Sequence, residues 1–167
     1  GFSAVKFQTY KAENLAIKNS PAYWDLKKEK TKSQFKLFKK YDKFDKKDYF
    51  KLYNYCKKIK IDFLSTPFDI ESIDWLAPLM PAIKIASADI NNFPLLRKIG
   101  SIKKPIFLST GASNISEIKN ALKVLHASGA KDIVIMHCIL NYPTLNENAN
   151  LNMILNLKKE FPNNIIG

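Results

Sequence analysis

The chain is short of several residue types that mark whole classes of function. It has only two cysteines, Cys56 and Cys138, in unlike contexts, which excludes a disulfide scaffold. Two histidines, His126 and His137, do not make a metal site by themselves. Arg97 is the only arginine. No window approaches about 18 consecutive apolar residues, so no membrane span is expected. Gly1-Phe2-Ser3-Ala4-Val5 holds no charged segment leading into an apolar one, so it is not expected to be a secretory signal. There is no initiator methionine, and the chain reads as cut into. No Gly-x-Gly-x-x-Gly follows the first strand candidate, which counts against a dinucleotide fold.

What is present suits one domain. The 167 residues are 46% hydrophobic and 12% aromatic, enough apolar surface to offset the entropy of ordering. The formal charge is +12, and it is concentrated. Lys27 to Lys60 holds 14 lysines against 4 acids. Such a block attracts polyanions. However, lysine, asparagine and isoleucine are abundant throughout and arginine is nearly missing, which points to genome composition rather than phosphate contacts. Phe35 and Phe38, and Tyr49, Leu52, Tyr53 and Cys56, recur at helical spacing. They are expected to form buried stripes with lysine on the wet face. Nucleic-acid binding is therefore not expected.

Strand and helix patterns alternate. Ala4 to Gln8, Ile61 to Thr66, Ala82 to Ser87, Pro105 to Thr110 and Ile133 to Cys138 read as strands, and Ile165-Ile166-Gly167 as the start of another. Helices are expected over Lys46 to Lys60, from an Asp69 cap to Leu76, and over Asn91 to Ile99. Two more follow, from a Ser113 or Asn114 cap to His126 and over Ala149 to Phe161. The strands are near-continuous apolar runs, as in a parallel sheet buried on both faces. One strand every 20–35 residues or so implies an α/β fold, either doubly wound or a (β/α)₈ barrel. The stretch between Tyr10 and Lys46 is too polar to place.

Polar residues recur at the C-terminal ends of these strands: Lys6 and Gln8, Ser65 and Thr66, Lys84 and Ser87, Ser109 and Thr110, and His137. In a barrel these ends share one rim, where barrel active sites lie. Lysines and hydroxyls there make a cradle for a phosphate or a phosphorylated carboxylate. Lys84 lies inside the apolar run Ala82-Ile83-Lys84-Ile85-Ala86 and needs a functional reason to be there. His137 is expected to be a hydrogen-bonded core residue, His126 solvated, and Cys138 buried and reduced in a cytosolic protein.

Five segments in register resemble the N-acetylneuraminate (sialic acid) synthase family, which includes legionaminic and pseudaminic acid synthases. They are Val5-Lys6-Phe7-Gln8-Thr9-Tyr10-Lys11-Ala12-Glu13-Asn14-Leu15, Phe63-Leu64-Ser65-Thr66-Pro67-Phe68-Asp69, Lys84 to Leu96, Pro105 to Gly111, and Met136-His137-Cys138 with Asn141-Tyr142-Pro143-Thr144. The resemblance implies a TIM barrel, of which this chain holds about strands 2 to 6 and the start of 7. Residues 1–167 would form one partial catalytic domain without the family's small antifreeze-like domain. The implied reaction joins phosphoenolpyruvate to N-acetylmannosamine or a related N-acyl sugar, releasing phosphate. By the resemblance, Lys84, Ser87 and Ser109 hold phosphoenolpyruvate and Thr66 lines its pocket. Lys6 and Gln8 stand at the rim, and Gln8 and Tyr142 face the sugar. Asp89 stands where the family usually has glutamate, and is expected with Lys84 among the catalytic residues. Ile139-Leu140 replace a usual threonine and a small polar residue. The family's divalent metal, manganese or magnesium, and its catalytic first-strand glutamate are expected outside this chain. The complete protein is expected to be a cytoplasmic homodimer and the isolated chain inactive. A different phosphate-binding barrel, or a basic nucleic-acid-binding module, would be the competing readings.

Overall fold

A computed structural model describes residues 1–167. Six parallel strands follow one another in space in the order they follow in the chain. They are β1 (Ala4–Thr9), β2 (Asp62–Pro67), β3 (Ile83–Ile85), β4 (Ile106–Ser109), β5 (Ile133–Met136) and β6 (Ile165–Ile166). β1 pairs with β2, and β3 to β6 form a second ladder. Each connection carries a helix: α3 (Lys46–Lys58), α4 (Ile70–Leu76), α5 (Phe93–Ser101), α6 (Ile115–Ala127) and α7 (Met153–Glu160). Sequential parallel order with a helix in every crossover is the wall of a β/α barrel.

One strand face shows why the helices lie where they do. Ile83, Ile106, Ile85, Leu108 and Ile135 are fully buried and Ile133 nearly so. They sit in register across β3, β4 and β5. They pack on Leu95, Leu96 and Ile99 of α5 and on Ile118, Ala121, Leu122 and Leu125 of α6. Truncating one such leucine or isoleucine to alanine costs roughly 2–5 kcal/mol. The helices α5 and α6 meet closely at Gly100, where a Cβ would stand 2.7 Å from Ser128 Cβ and 2.9 Å from the Leu125 carbonyl oxygen.

Helix starts are written locally. Asp45 and Asp48 form a capping box on α3, and Asn114 and Glu117 one on α6. Asp69 accepts from the Ser72 amide at 2.7 Å. Each satisfies amides that the first turn leaves free. Gly129, with φ +109°, ends α6 in a conformation that suits glycine. α5 starts two residues later than expected, at Phe93, because Asn92 is its cap. α7 starts at Met153 rather than Ala149, after a 3₁₀ turn over Asn146–Asn148.

The Tyr10–Lys46 connection holds α1 (Ala12–Leu15) and α2 (Gln34–Tyr41), with a bridge between Pro21 and Ser33. Asp42 fastens it. Its carboxylate accepts from Lys11 Nζ at 2.8 Å and from the Ala12 amide at 3.0 Å. The expected buried stripe on α2 is corrected: Phe35 and Phe38 are only half-buried, and α2 buries no residue. That helix packs on short α1 rather than on the sheet. On α3 the stripe forms, with Tyr49 and Cys56 buried and Leu52 and Tyr53 half-buried. Within the lysine block, Lys39, Lys40 and Lys51 pair with Glu13, Glu29 and Asp48. No helix is long and apolar enough to cross a membrane.

Candidate functional site

The other strand face carries the polar residues. Strand alternation puts Lys6 and Gln8 of β1 on one side, while Val5, Phe7 and Thr9 face α3. Lys6 is in register with Leu64, and Gln8 with Thr66. On the second ladder, Lys84 aligns with Phe107 and Val134, and Ser109 with Met136. Lys6, Gln8, Thr66, Lys84 and Ser109 therefore share the inner face, the lumen of a barrel. Its polar groups sit at the C-terminal ends of the strands.

Not every strand-end hydroxyl joins them. Ser65 faces the helices and its Oγ lies 2.7 Å from Thr9 Oγ1. The Thr110 hydroxyl donates to the Met136 carbonyl at 3.0 Å. Both are structural, which corrects the expectation that all of these residues converge on the rim. His137 is half-buried, with Nε2 2.8 Å from the Ala149 carbonyl oxygen. It tethers the start of the β5–α7 connection. His126 is exposed on α6, its Nδ1 2.9 Å from the Ala130 carbonyl oxygen.

Lys84 is the centre of the cluster. It is half-buried, and its Nζ donates to the Ile85 carbonyl at 2.8 Å. No carboxylate pairs with it. Burial pulls its pKa from the ordinary 10.5 down to about 8; Cys138 opposes that shift, Lys6 adds to it, and Asp89 opposes it. A cation held without a counterion is set to gain one from a ligand.

Ser87 lies just past the end of β3, which stops at Ile85, and opens the 3₁₀ turn Ser87–Asp89. The Gly111 amide donates to its Oγ at 2.9 Å. Asp89, in the same turn, has one carboxylate oxygen, Oδ2, that is buried with no hydrogen-bond partner. Asn92 donates to the other, Oδ1, at 3.3 Å. Burial raises the Asp89 pKa, against the Asn92 bond and Lys84. A buried unpaired oxygen is costly and fits a group that waits for a donor. Thr66 is 2% exposed.

Gln8 also borders a hollow of about 230 Å³ between the end of β1 and the α2–α3 turn. Tyr49 donates to the Gln8 carbonyl at 2.7 Å, which fixes this end of β1. Tyr142 stands apart, 89% exposed on the loop after β5. Two contributors went unread in the sequence. Cys138, expected to be buried, is half-buried and its thiol donates to Ser109 Oγ at 3.2 Å. Gly111 holds Ser87. The signal for Cys138 was available, since Val134, Met136 and Cys138 alternate toward the lumen beside Ser109.

The metal expected from the resemblance has no place among these residues. Nowhere do three or more His, Cys, Asp or Glu side chains come together, and the free Asp89 oxygen has no second ligand beside it.

All 167 residues match the sequence profile of the NeuB family. An N,N'-diacetyllegionaminic acid synthase of Campylobacter jejuni is 41% identical over 166 residues, 96% of this chain and 49% of that protein. An N-acetylneuraminate-9-phosphate synthase of Drosophila melanogaster is 37% identical over 130 residues, 77% of this chain and 35% of that protein. The chain thus spans less than half the length of these relatives. The crystal structure of N-acetylneuraminic acid (sialic acid) synthetase from Leptospira borgpetersenii, in complex with citrate, superposes with a TM-score of 0.83 at 30% identity. That match covers 99% of this chain and 53% of that one.

Proposed function

We propose, from the premise that this chain belongs to the NeuB family, that it supplies the anion-binding half of a sugar-acid synthase. The reaction condenses phosphoenolpyruvate with N-acetylmannosamine or a related N-acyl sugar. The observation that carries this reading is Lys84, half-buried on the lumen face without a counterion, with Ser87 and Ser109 further along at the C-terminal ends of β3 and β4.

The chemistry follows from that placement. The methylene carbon of phosphoenolpyruvate bonds to the aldehyde carbon of the open-chain sugar. The aldehyde oxygen takes a proton and becomes a hydroxyl. Positive charge develops at the carbon bearing the phosphate ester, and water adds there with loss of a proton. The hydroxyl so formed gives up its proton as the bond from that carbon to the ester oxygen breaks, phosphate leaves with the bonding pair, and a nine-carbon 2-keto acid remains. Lys84 balances the charge of the departing phosphate, in a low-dielectric site where fixed charge acts strongly. Ser87 and Ser109 donate to the phosphate and carboxylate, and Thr66 closes the same pocket. Lys6 and Gln8 stand at the rim, with Gln8 and Tyr142 on the sugar side. Asp89 offers its free oxygen to a sugar hydroxyl. Holding both substrates on one face supplies a further share of the acceleration. The metal of this reaction would be manganese or magnesium, and residues 1–167 bring no ligand set together for it. Residues 1–167 act as one partial barrel domain of a homodimeric protein.

A second acceptor class is favoured by one observation. The legionaminic-type relative is 41% identical, against 29% for a pseudaminic acid synthase over a comparable length. The sugar precursor of a legionaminic-type acid is therefore the alternative acceptor, with that of a pseudaminic-type acid behind it. The test is phosphate release by the complete protein with phosphoenolpyruvate, Mn²⁺ and each acceptor in turn. Release that depends on one acceptor and is lost in Lys84→Ala is expected. No acceptor-dependent release, or phosphoenolpyruvate binding unchanged by Lys84→Ala, overturns the reading.

A further inference from the structure

We propose that Gly111 and Cys138 are positioning residues that lock Ser87 and Ser109 as hydrogen-bond donors to the bound anion. The proposal rests on the anion-binding reading above and adds two groups that touch no substrate.

A serine hydroxyl has one hydrogen to give and two lone pairs to offer. Free to rotate, it presents either. An oxygen that already accepts from a fixed donor turns its own hydrogen away from that donor. Both serines of the cluster accept in this way, Ser87 from a fixed backbone amide and Ser109 from a thiol, a weaker donor that itself rotates. Ser87 Oγ accepts from the Gly111 amide at 2.9 Å, and Ser109 Oγ from the Cys138 thiol at 3.2 Å. Neither hydroxyl makes any other side-chain hydrogen bond, so neither hydrogen has an acceptor within the chain. Several hydroxyls away from the lumen behave differently, although Ser20 Oγ also accepts from an amide, that of Phe35 at 3.2 Å, and donates nowhere. Ser33, Ser72 and Thr110 spend their hydrogens on the carbonyls of Lys18, Asp69 and Met136, at 3.3, 3.0 and 3.0 Å. Around the lumen, the two hydroxyls that accept and still leave a hydrogen free are those of Ser87 and Ser109. An anion takes donors only, so a hydroxyl fixed as a donor binds it without first losing rotational freedom.

The geometry at Gly111 is tight for the same reason. A Cβ there would lie 3.0 Å from Ser87 Oγ and 3.1 Å from Leu140 Cδ2. Its φ is not positive, since Gly129 alone among the glycines has that conformation. Alanine is therefore acceptable to the backbone, and what it disturbs is the Ser87 hydroxyl. Leu140 is 54% exposed and free to yield, so the displacement stays local.

The test uses the complete protein and five variants: Ser87→Ala, Ser109→Ala, Gly111→Ala, Cys138→Ala and Cys138→Ser. The readouts are affinity for inorganic phosphate, and KM for phosphoenolpyruvate set against kcat and against KM for the sugar. Each serine-to-alanine change should raise KM for phosphoenolpyruvate about tenfold, the effect of one hydrogen bond to a charged group. Gly111→Ala and Cys138→Ala should do the same, leaving KM for the sugar within about twofold. Cys138→Ser restores a donor at the same place and should bind phosphoenolpyruvate nearly as the unaltered protein does. If the serine variants are weakened while Gly111→Ala and Cys138→Ala are not, the positioning role is wrong and the anion site stands. If Cys138→Ser is as weak as Cys138→Ala, the thiol acts through bulk, and its role as donor is wrong. If the serine variants bind like the unaltered protein, the anion site itself is wrong. Should Gly111→Ala fail to fold, the two Cys138 variants decide the matter.

Discussion

Replacing Lys84 with methionine should make the protein more stable while removing its capacity to bind phosphate. The side chain sits half-buried on the lumen face, and its only hydrogen bond within the chain goes to the Ile85 carbonyl. Its pKa of about 8, against the ordinary 10.5, measures what the buried charge costs. That difference corresponds to about 3 kcal/mol at pH 7. Solvent screens a half-buried group, so about 1–2 kcal/mol is expected in practice. Below pH 8 the folded and unfolded chains both hold the proton, and the cost is fully present. Between pH 8 and 10.5 the unfolded chain keeps a proton that the folded one has released. Unfolding then takes up a proton, and stability climbs with pH. Lys84→Met should therefore have the higher urea midpoint at pH 7 and lose that advantage by about pH 10. Phosphate at ten times its Kd should stabilise the unaltered protein by about 1.4 kcal/mol and leave the variant unmoved. A variant less stable than the parent at pH 7 without phosphate would refute the argument. So would an advantage that is the same at both pH values.

Asp89→Asn should raise the urea midpoint at pH 7, because burial already holds this carboxyl above its usual range. The charged form costs stability as pH rises through the folded-state pKa. The same variant should lose at least about tenfold in turnover, and Asp89→Glu, which keeps the carboxylate, should keep activity in the same phosphate-release assay. Asp42→Ala should cost roughly 2 kcal/mol in urea unfolding at pH 7, since the carboxylate is 2% exposed and holds Lys11 and the Ala12 amide. Burial works to raise the Asp42 pKa, but those bonds outweigh it and hold it low. Its contribution is present at neutral pH and fades as pH falls through the folded-state pKa. Asn114→Ala removes one half of the α6 capping box and should cost about 1 kcal/mol by thermal or urea unfolding.

The barrel wall was readable because its signals are local. Apolar runs mark β2 to β5, and Asp45, Asp69 and Asn114 mark helix starts that the structure keeps. Lys84 stood out as a cation inside one such run, and it is on the lumen face. The hydroxyls were harder. Ser65 and Thr66 are adjacent, yet only Thr66 faces inward, and a one-residue change in strand phase would exchange them. That phase is set by pairing across strands. Phe35 and Phe38 show the opposite failure. Their spacing is helical, but periodicity does not say what lies beneath a helix, and beneath α2 there is no sheet. Cys138 and Gly111 act through neighbours more than 20 residues away in the chain. Such contacts are written only in the fold.

The interrupted ladder between β2 and β3 bears on how such a site can be retuned. Lys6, Gln8 and Thr66 hang from one hydrogen-bonded plate, and Lys84, Ser87 and Ser109 belong to the other. Across the seam the tie is a side chain: Met80, just before β3, accepts at its Sδ from the Ser65 amide of β2, and Lys104 holds the Met80 carbonyl from the β4 side. The two plates are thus the jaws of a caliper whose opening is set by buried side chains at the join. A change of volume at Met80, a residue that neither substrate need ever meet, alters the gap without rewriting a single contact on either jaw.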